Sequence, residues 1–421
     1  MNTDFDAVVV GAGIHGAGAA QALAAAGHPV LLLERQAIAA GTSSRSSKLI
    51  HGGLRYLETG QFHLVRESLR ERGILLSIAP QLVRLERFFL PVYRHTRRRP
   101  WQLRLGLSLY ALLAGFGRGA RFGTVPRRDW VRLDGLDTHD LQCVFWYQDG
   151  QTDDRALTQA VVQSATDLGA QLALPACLLD ARLEGDGVQV RYRLGYPGPA
   201  GAGAAAAAAT AAATGSDGRD VVRTCTARVL INAAGPWADA VARSITPAIH
   251  VPPVELIQGT HILLPQQFTQ GIYYVESPRD GRAIFVMPWQ GQLLVGTTET
   301  RFRGDPAAVA PTPGDINYLL GVLKHYFPAL RGCTAADLGG SFAGLRVLPR
   351  GAGHAFHRSR ETLLVPDRPA RPRVLSIYGG KLTGYRTVSQ RVLQQVAPSL
   401  PSRSPRARTD RLRLKLGPGA N

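Results

Sequence analysis

The sequence is poor in sulfur: it contains four cysteines and two methionines among 421 residues. The cysteines form no Cys-x-x-Cys pair; they are Cys143, Cys177, Cys225 and Cys333. This spacing indicates neither a zinc site nor a disulfide framework, so we expect no bound metal. A low cysteine content is also typical of a reducing compartment.

Long apolar runs are missing as well. No window provides about 18 uninterrupted apolar residues, the length that a membrane-spanning helix requires. The N-terminal Met-Asn-Thr-Asp lacks the basic region of a secretory signal peptide, and the first apolar run already belongs to a nucleotide-binding pattern. We therefore expect a cytoplasmic protein without a transmembrane helix.

Acidic residues are scarce, since 31 Asp and Glu face 49 Lys and Arg and leave a net charge of +18. The basic residues concentrate in Arg94–Arg104, Arg118–Arg132 and Arg403–Lys415. None of these segments carries a DNA- or RNA-binding motif, so we expect no nucleic acid partner. Two explanations of the charge stay open: arginine enrichment from a GC-rich coding bias, and a basic face that binds an anionic membrane surface.

The segment Arg97–Leu113 combines arginines with Trp101 and a Leu-rich stretch. It is too short to span a bilayer. A helix of this composition can lie in the membrane interface, with Trp near the headgroups and Arg near anionic lipid. We therefore expect peripheral association with the inner face of the cell membrane; the alternative is a core helix with a basic edge.

The chain opens with the pattern of a dinucleotide-binding unit. A short buried strand is predicted at Asp6–Val10 and is followed at once by Gly11-Ala-Gly-Ile-His-Gly16. An Ala-rich helix to about Ala26, a second strand at Pro29–Leu33 and an acidic residue, Glu34, follow in the order that such units have.

The glycines and the acid of this unit each have a physical role in holding a dinucleotide. Gly11 permits a tight turn, Gly13 lets the backbone approach a pyrophosphate, and Gly16 lets the helix lie close to the strand. The pyrophosphate would meet backbone N–H groups and the positive end of the helix dipole. Glu34 can bind the ribose hydroxyls of the adenosine. The motif alone does not separate FAD from NAD.

Seven sequence blocks between residue 5 and about residue 395 indicate a family. They are GAGIHGAG at 11–18, SSRSSKLIHGGLRYLE at 43–58, NAAGPWAD at 232–239, GTHILLP at 259–265, VGTTET at 295–300, FAGLRVLP at 342–349 and YGGKLTGYR at 378–386. In these blocks and in their order, the chain resembles the FAD-dependent glycerol-3-phosphate dehydrogenases of the D-amino-acid-oxidase-like flavoprotein superfamily.

The resemblance implies an α/β fold in which a Rossmann-type FAD-binding domain is interleaved with an antiparallel-sheet substrate domain. It also implies oxidation of sn-glycerol 3-phosphate to dihydroxyacetone phosphate, with FAD as the cofactor and a quinone as the electron acceptor. No cysteine stands at a position that we would assign to covalent flavin attachment, so we expect noncovalent FAD. Two alternatives stay open. The first is an oxidase that uses oxygen or acts on another 2-hydroxy acid or amino acid. The second is a flavin-binding subunit of a larger assembly, without turnover. The oligomeric state also stays open.

The expected domain organisation is discontinuous. The FAD-binding domain is assigned to residues 1–80, 140–250 and 345–396, and the substrate-binding region to residues 81–139 and 251–344. The other two segments are a low-complexity insertion at 197–218 and a basic Pro/Arg-rich tail at 397–421. The resemblance ends near residue 396, whereas many members of the family continue with a helical C-terminal domain.

The expected substrate site contains cations and a base. The resemblance implies that Arg55, Arg346 and Lys381 hold the substrate, and Tyr56 can add a hydroxyl contact. His51 is the best candidate for the base, because its ordinary pKa lies near neutral pH; the alternative is a histidine that only orients the flavin. His261 is a weaker candidate for substrate contact, with a structural role as its alternative. We expect His51, Arg346 and Lys381 to be catalytic.

Further contacts with the cofactor are expected from short polar segments at the ends of strands. A last buried strand is predicted at Val374–Tyr378, and the glycines after it open a helix to Val396, whose N-terminus can point at the cofactor. The residues assigned to the cofactor in addition to the opening unit are Thr42, Ser43, Ser47, Lys48, Ala234, Gly235, Gly380 and Thr383.

Overall fold

The computed structural model describes residues 3–58, 60–115, 119–195, 221–350 and 362–416, so the low-complexity insertion at 197–218 lies outside the described residues. The described residues form two β-sheets and seven α-helices. The helices are α1 (Ile14–Ala25), α2 (Phe62–Ile78), α3 (Pro100–Leu113), α4 (Asp154–Asp167), α5 (Ala238–Arg243), α6 (Pro313–Tyr326) and α7 (Tyr385–Val396).

The first sheet has nine strands. They are β1 (Phe5–Val10), β2 (Val30–Leu33), β7 (Gln171–Ala173), β8 (Ala176–Glu184), β9 (Gly187–Leu194), β10 (Val221–Asn232), β11 (Ile245–Thr246), β18 (Leu363–Pro366) and β19 (Val374–Tyr378). Five of these strands run parallel in the order β7-β2-β1-β10-β19. This is the Rossmann-type unit that the sequence predicts.

Both faces of the parallel strands are covered, which explains why β1 and β2 are almost continuously apolar. Ala7 and Val9 face a core that includes α1, α4 and α7. Val8 and Val10, which alternate with them, face a second core built with β8 and β9. The Ala-rich sequence of α1 lets this helix approach α4 and α7 closely.

The second sheet has ten strands. They are β3 (Leu49–Ile50), β4 (Val83–Tyr93), β5 (Phe122–Thr124), β6 (Leu141–Thr152), β12 (Val254–Leu264), β13 (Ile272–Glu276), β14 (Ala283–Trp289), β15 (Gln292–Gly296), β16 (Thr300–Phe302) and β17 (Gly340–Pro349). Its described pairings are antiparallel except for β4 with β13. The interleaved α/β architecture that the sequence predicts is therefore confirmed.

The sheets divide the chain at other points than the sequence prediction does. The prediction assigned residues from 140 onward to the FAD-binding domain, but β6 pairs with β4 and β3 in the second sheet. β17 pairs along its length with β12, also in the second sheet. The reason is packing, since Phe145 and Tyr147 of β6 belong to the same core as Phe88 and Leu90 of β4. The next element, α4, packs in the core that covers the first sheet, and β7 then adds a strand to that sheet.

Helix α3 packs on the second sheet through one face only. Leu107, Tyr110 and Ala111 are buried, and Leu107 and Tyr110 belong to a core that includes residues of β4 and β6. The opposite face exposes Trp101, Leu105 and Leu112, which have relative exposures of 67%, 64% and 57%. Among the described residues, no helix combines the length and apolar character that crossing a membrane requires.

The basic tail is packed against α1 and α2. The backbone N–H of Arg406 donates to the carbonyl of Ala25 at the end of α1 (2.7 Å). The N–H of Leu414 donates to the carbonyl of Ile78 at the end of α2 (2.8 Å), and its side chain is buried in the core around α1. The Arg403 guanidinium donates to Asp6 (3.0 Å). The tail therefore crosses the ends of two helices as an extended strap.

Candidate active site

One cavity, of about 660 Å³, lies where the two sheets meet. Its lining includes Val10, Leu33, Ala233 and Gly379, which stand at the carboxyl ends of four parallel strands or directly after them. In open α/β sheets this edge is the usual place for ligands. We call the part formed by Gly11, Glu34 and their neighbours the nucleotide end, and the part formed around Arg346 and Lys381 the cationic end.

The nucleotide end is shaped by backbone. Gly11 has φ of +99°, a value that the residue type permits without strain. A Cβ at Gly16 would lie 1.8 Å from the carbonyl oxygen of Gly11, so this position requires glycine for packing rather than for lining the cavity. Gly13 lines the cavity next to Ser43, whose hydroxyl accepts the N–H of Ile14 at the start of α1 (2.9 Å).

Glu34 stands at the end of β2, where the sequence predicts a ribose contact. Its Oε2 accepts the N–H of Ala12 and its Oε1 accepts the N–H of Gln36, each at 2.8 Å. Burial raises the pKa of this carboxyl, against the effect of the two backbone hydrogen bonds. The side chain is thus held in place by backbone while it lines the cavity.

The loop after β2 brings three predicted cofactor residues to the cavity, namely Thr42, Ser43 and Ser47. Thr42 donates its hydroxyl hydrogen to the carbonyl of Leu345 in β17 (2.7 Å). Ser47 Oγ lies 2.9 Å from Nε2 of His261. This loop therefore links the two sheets at the cavity.

Lys48 does not line the cavity, although the sequence assigns it to the cofactor. Its ammonium donates to Oδ1 of Asp154 (2.6 Å) and to the carbonyl of Ser44 (2.7 Å). Both side chains of the ion pair are buried, and burial is the main reason that the pKa of Asp154 is raised. A buried ammonium needs such a partner, so Lys48 joins the loop to α4.

Four predicted residues come from the ends of β10 and β19, and all four line the cavity: Ala234, Gly235, Gly380 and Thr383. The hydroxyl of Thr383 accepts the backbone N–H of His51 (3.2 Å). His51 itself also lines the cavity. The base candidate is therefore attached to the segment that precedes α7.

His15 is a cavity residue that the sequence reasoning missed. It lies in the first turn of α1, and a Cβ on Gly380 would be 2.2 Å from its Nε2. Burial lowers its pKa to about 4, so the imidazole is neutral near neutral pH. Its buried Nδ1 has no hydrogen-bond partner among the described residues. The only sequence signal was its place inside the glycine motif.

The cationic end is organised around a carboxylate. Arg346 in β17 donates to Oε1 of Glu299 (3.0 Å) and to the hydroxyl of Thr297 (3.2 Å). Arg282 lies 3.1 Å from Oε2 of the same glutamate. Sequence reasoning found Arg346 but missed Glu299 and Arg282; Glu299 stood inside a family block, whereas no pattern marked Arg282.

Lys381 and Arg55 meet at an aromatic ring. The Lys381 ammonium lies 3.9 Å from the centre of the Tyr56 ring, and the Arg55 guanidinium lies 5.8 Å from it. Cations over an aromatic face are stabilised by the ring quadrupole. All three side chains line the cavity, so the structure brings together three of the five residues that the sequence assigns to substrate.

The lining is strongly positive. Its cationic residues are Arg35, Arg45, Arg55, Arg282, Arg346 and Lys381, and its acidic residues are Glu34 and Glu299. Burial, with Arg346 and Lys48 nearby, lowers the pKa of His261 to about 3, so this imidazole adds no charge near neutral pH. The cavity is therefore suited to an anionic cofactor and an anionic substrate.

The parallel sheet, the glycine turn and the acid at the end of β2 define a dinucleotide-dependent enzyme, and the second sheet with its loops adds Thr297, Glu299 and Arg346 to the lining of the same cavity. Residues 6–385 match the family of FAD dependent oxidoreductases, and the chain belongs to this family. The expected cofactor is thereby confirmed as FAD. The turn at Gly11 and the fixed Glu34 carboxylate fit a dinucleotide of this kind.

Curated relatives are similar over most of the chain. The aerobic glycerol-3-phosphate dehydrogenase of Escherichia coli (strain K12) is 34% identical over 406 residues, which cover 93% of this chain and 73% of the relative. The D-erythritol 1-phosphate dehydrogenase of Brucella abortus (strain 2308) is 33% identical over 399 residues, which cover 94% and 74%.

A solved structure agrees with these relatives. The glycerol-3-phosphate dehydrogenase from Bacillus halodurans, complexed with FAD, superposes with a TM-score of 0.70 and 26% identity. The match covers 97% of this chain and 67% of that one. The resemblance to the glycerol-3-phosphate dehydrogenases is therefore confirmed by sequence and by fold.

Proposed function

We propose that the protein oxidises sn-glycerol 3-phosphate to dihydroxyacetone phosphate. The observation that carries the proposal is that Arg55, Arg282, Arg346 and Lys381 line the same cavity as the base candidate His51. Charge-assisted hydrogen bonds from fixed cations are the usual means of holding a phosphate. The names of the two curated relatives, which are both polyol-phosphate dehydrogenases, support the same class of substrate.

The residues divide the work as follows. Arg346, Arg55 and Lys381 bind the phosphate and fix the substrate carbon relative to the flavin. His51 takes the proton from the secondary hydroxyl. FAD, when bound, supplies N5 as the hydride acceptor. Removing the proton makes the alcohol carbon a better hydride donor, so proton transfer and hydride transfer assist each other.

His51 is a better base than His261. The pKa of His261 is lowered to about 3 by burial and nearby cations, and Ser47 already occupies its Nε2. A base of such low pKa would hold a proton poorly near neutral pH. The contact between His261 and Ser47 instead suits a structural role in the lining of the cavity.

The cofactor is held noncovalently in this proposal. Backbone around Gly11 and Gly13 receives the pyrophosphate at the start of α1, and Glu34 receives the ribose hydroxyls. The residues that contact the remaining parts of FAD are Thr42, Ser43, Ser47, Ala234, Gly235, Gly380 and Thr383. Gly16 acts indirectly, because it allows α1 to approach the turn at Gly11.

The test is anaerobic addition of sn-glycerol 3-phosphate to the purified holoprotein while the flavin absorbance is followed. We expect bleaching with this substrate and none with glycerol or inorganic phosphate alone, since the cations must anchor a phosphate that is joined to the alcohol. D-Erythritol 1-phosphate is the comparison for chain length. A flavin that stays oxidised with both glycerol 3-phosphate and D-erythritol 1-phosphate would overturn the proposal. Bleaching by a 2-hydroxy acid or an amino acid instead would replace glycerol 3-phosphate as the proposed substrate.

We also propose that the enzyme works at the inner face of the cell membrane and passes electrons to a quinone. Trp101, Leu105 and Leu112 share the outer face of α3, and the exposed Arg97 and Arg99 lie just before the helix. Apolar residues flanked by cations suit an interface with anionic lipid. Arg98 is not part of this face, because it pairs with Glu58 and Glu276.

Vesicle co-sedimentation tests the membrane surface. The wild type should bind anionic vesicles at low salt, and binding should weaken as salt increases. Replacing Trp101 and Leu105 with serine should abolish most of the binding, whereas Val131→Ser, at another exposed apolar residue, should leave it intact. A wild type that stays in the supernatant would exclude the surface. Rapid oxygen consumption without quinone would favour an oxidase.

A further inference from the structure

We propose that Tyr110 and Asp149 are positioning residues, which fix the Gly52 amide and thereby the place of His51 next to the substrate. The inference rests on the proposed function, in which His51 moves the hydroxyl proton. Neither residue lines the substrate wall around Arg346 and Lys381, so their effect would pass through the backbone of the His51 segment.

A hydrogen-bond network surrounds the amide that follows His51. The Gly52 N–H donates to Oη of Tyr110 (2.9 Å) and lies 3.3 Å from Oδ2 of Asp149. The Tyr110 hydroxyl donates to the same Oδ2 (2.7 Å). Arg72 in α2 donates to the other oxygen, Oδ1 (2.7 Å). Three elements, α2, α3 and β6, therefore converge on one backbone N–H group.

The members of this network are buried in the core, where an unpaired polar group is costly. Arg72 donates further hydrogen bonds to the carbonyls of Gln148 (3.0 Å) and Gly119 (3.1 Å). Burial and the neighbouring Asp149 raise the pKa of Tyr110 well above its ordinary value, so its hydroxyl remains a donor near neutral pH. The network is satisfied except at Nε of Arg72, which is buried without a hydrogen-bond partner among the described residues.

The His51 segment is fixed on two sides. The N–H of His51 donates to the hydroxyl of Thr383, and the next N–H, that of Gly52, enters the network. A Cβ at Gly52 would lie 2.3 Å from the Tyr110 hydroxyl, which shows how closely the backbone approaches α3. Two consecutive anchored amides leave the backbone that carries the His51 side chain little freedom to shift relative to the cavity.

An ion pair that only stabilises the fold would not need the Tyr110 hydroxyl. Arg72 and Asp149 bond each other directly, so Tyr110→Phe leaves that ion pair in place. It removes the acceptor nearest to the Gly52 N–H and, with it, the hydrogen bond that the hydroxyl donates to Oδ2 of Asp149. The amide can then move toward Asp149, and a small displacement of a catalytic group lowers the rate of the chemical step more than it lowers substrate affinity.

The test compares Tyr110→Phe with Tyr93→Phe in the holoprotein. Tyr93 is an equally buried tyrosine whose hydroxyl donates to the carbonyl of Asp137 (2.6 Å), away from the cavity. We expect Tyr110→Phe to lower the rate constant of flavin reduction by about tenfold, with less than about a twofold change in the dissociation constant of glycerol 3-phosphate. Tyr93→Phe should lower thermal stability but keep the wild-type reduction rate.

Amide hydrogen exchange supplies a second readout that does not depend on turnover. The Gly52 amide should exchange faster in Tyr110→Phe than in the wild type, and its exchange rate should be unchanged in Tyr93→Phe. Equal reduction rates in the two variants, or unchanged exchange at Gly52, would overturn the inference. A wild-type flavin that glycerol 3-phosphate does not reduce would instead overturn the proposed function, while the exchange comparison would still decide whether Tyr110 positions the segment.

Discussion

The two ends of the cavity are built by different means. The nucleotide end consists mainly of backbone from one short part of the chain, including the Gly11 turn, the start of α1 and Glu34 held by two amides. The cationic end consists of side chains that are far apart in sequence, such as Arg55, Arg282 and Arg346. They meet because β14 and β17 lie in one sheet while Arg55 follows β3.

This difference has an electrostatic consequence. Backbone N–H groups at a helix start attract an anion without carrying a full charge, so the nucleotide end needs no counterion before FAD binds. Two half-buried arginines that lie close together need a counterion. Glu299 is this counterion, because its carboxylate forms ion pairs with Arg282 and Arg346. Under the proposed function, an incoming phosphate would share these arginines with the Glu299 carboxylate, and we therefore expect the site to favour a dianion over a weakly charged ligand.

The largest effect is expected at the base. His51→Asn should slow flavin reduction by roughly 10²–10⁴-fold, because general-base catalysis contributes a factor of this size. Substrate affinity and FAD content should change little, since the backbone contact to Thr383 remains. Single-turnover reduction measured across neutral pH gives the rate. His139→Asn, at a histidine whose side chain is 87% exposed, is the control. A near-wild-type rate in His51→Asn would leave His51 only an orienting role.

Sequence reasoning was more successful at the nucleotide end than elsewhere. The strand Val374–Tyr378 appears with the predicted bounds, and the opening strand and helix differ by about one residue from prediction. Local patterns suffice there, because each residue acts within its own turn or strand. Lys48 shows the limit of such patterns: its partner Asp154 lies 106 residues away, and no local pattern reveals that pairing.

The tail and β6 show the same limit at the level of the fold. The Pro/Arg-rich composition of the tail did not reveal any packing, yet Leu414 is buried because the strap reaches the ends of α1 and α2. The order of strands along the chain did not reveal that β6 pairs with β4, since pairing depends on distant partners. Glu299 and Arg282 were missed for a related reason, because only the folded sheet brings them to Arg346.

Leu414 tests whether the strap belongs to the nucleotide-binding half. Its side chain is 2% exposed, whereas Leu416, two residues later, is 42% exposed. Leu414→Ala should lower the free energy of unfolding by about 2–5 kcal/mol, and Leu416→Ala by less than about 0.5 kcal/mol. Chemical denaturation of both variants measures the difference. Equal, small losses would mean that the strap is not part of the core in solution.

Arg346 tests the charge arrangement at the cationic end. Arg346→Ala should weaken binding of glycerol 3-phosphate about tenfold or more, because a hydrogen bond to a charged group contributes about 1.5–3 kcal/mol. FAD should remain bound. The control is Arg301→Ala, at an exposed arginine on β16 that pairs with Glu255 and lies outside the cavity. Spectral titration of the flavin measures the affinity of each variant for glycerol 3-phosphate. An unchanged affinity in Arg346→Ala would show that Arg346 is not part of the substrate site.

Gly16 tests the backbone construction of the nucleotide end. Gly16→Ala places a methyl group 1.8 Å from the Gly11 carbonyl oxygen, so α1 must move away from the turn. Overpacking of this kind costs about 1–3 kcal/mol, and we expect FAD affinity to fall accordingly. Gly73→Ala in α2, where a Cβ would meet nothing within 4 Å, should keep FAD and stabilise the helix slightly. Equal FAD retention by the two variants would contradict the packing role.

The smallest effect concerns the pH dependence of stability at the cationic end. Burial lowers the pKa of His261 from its ordinary 6.5 to about 3, so between these values the unfolded chain binds a proton that the folded chain does not. The free energy of unfolding therefore falls as the pH decreases below 6.5, by at most about 1.4 kcal/mol per pH unit from this residue.

His261→Gln should remove this contribution, because the amide does not titrate and can still hydrogen-bond Ser47. We expect denaturation curves between pH 6.5 and 5 to show a smaller loss of stability for the variant than for the wild type. His139→Gln, at an exposed histidine, should keep the wild-type slope. The same slope in all three proteins would show that folding does not lower the pKa of His261, and this histidine would then add positive charge to the cationic end as the pH falls below 6.5.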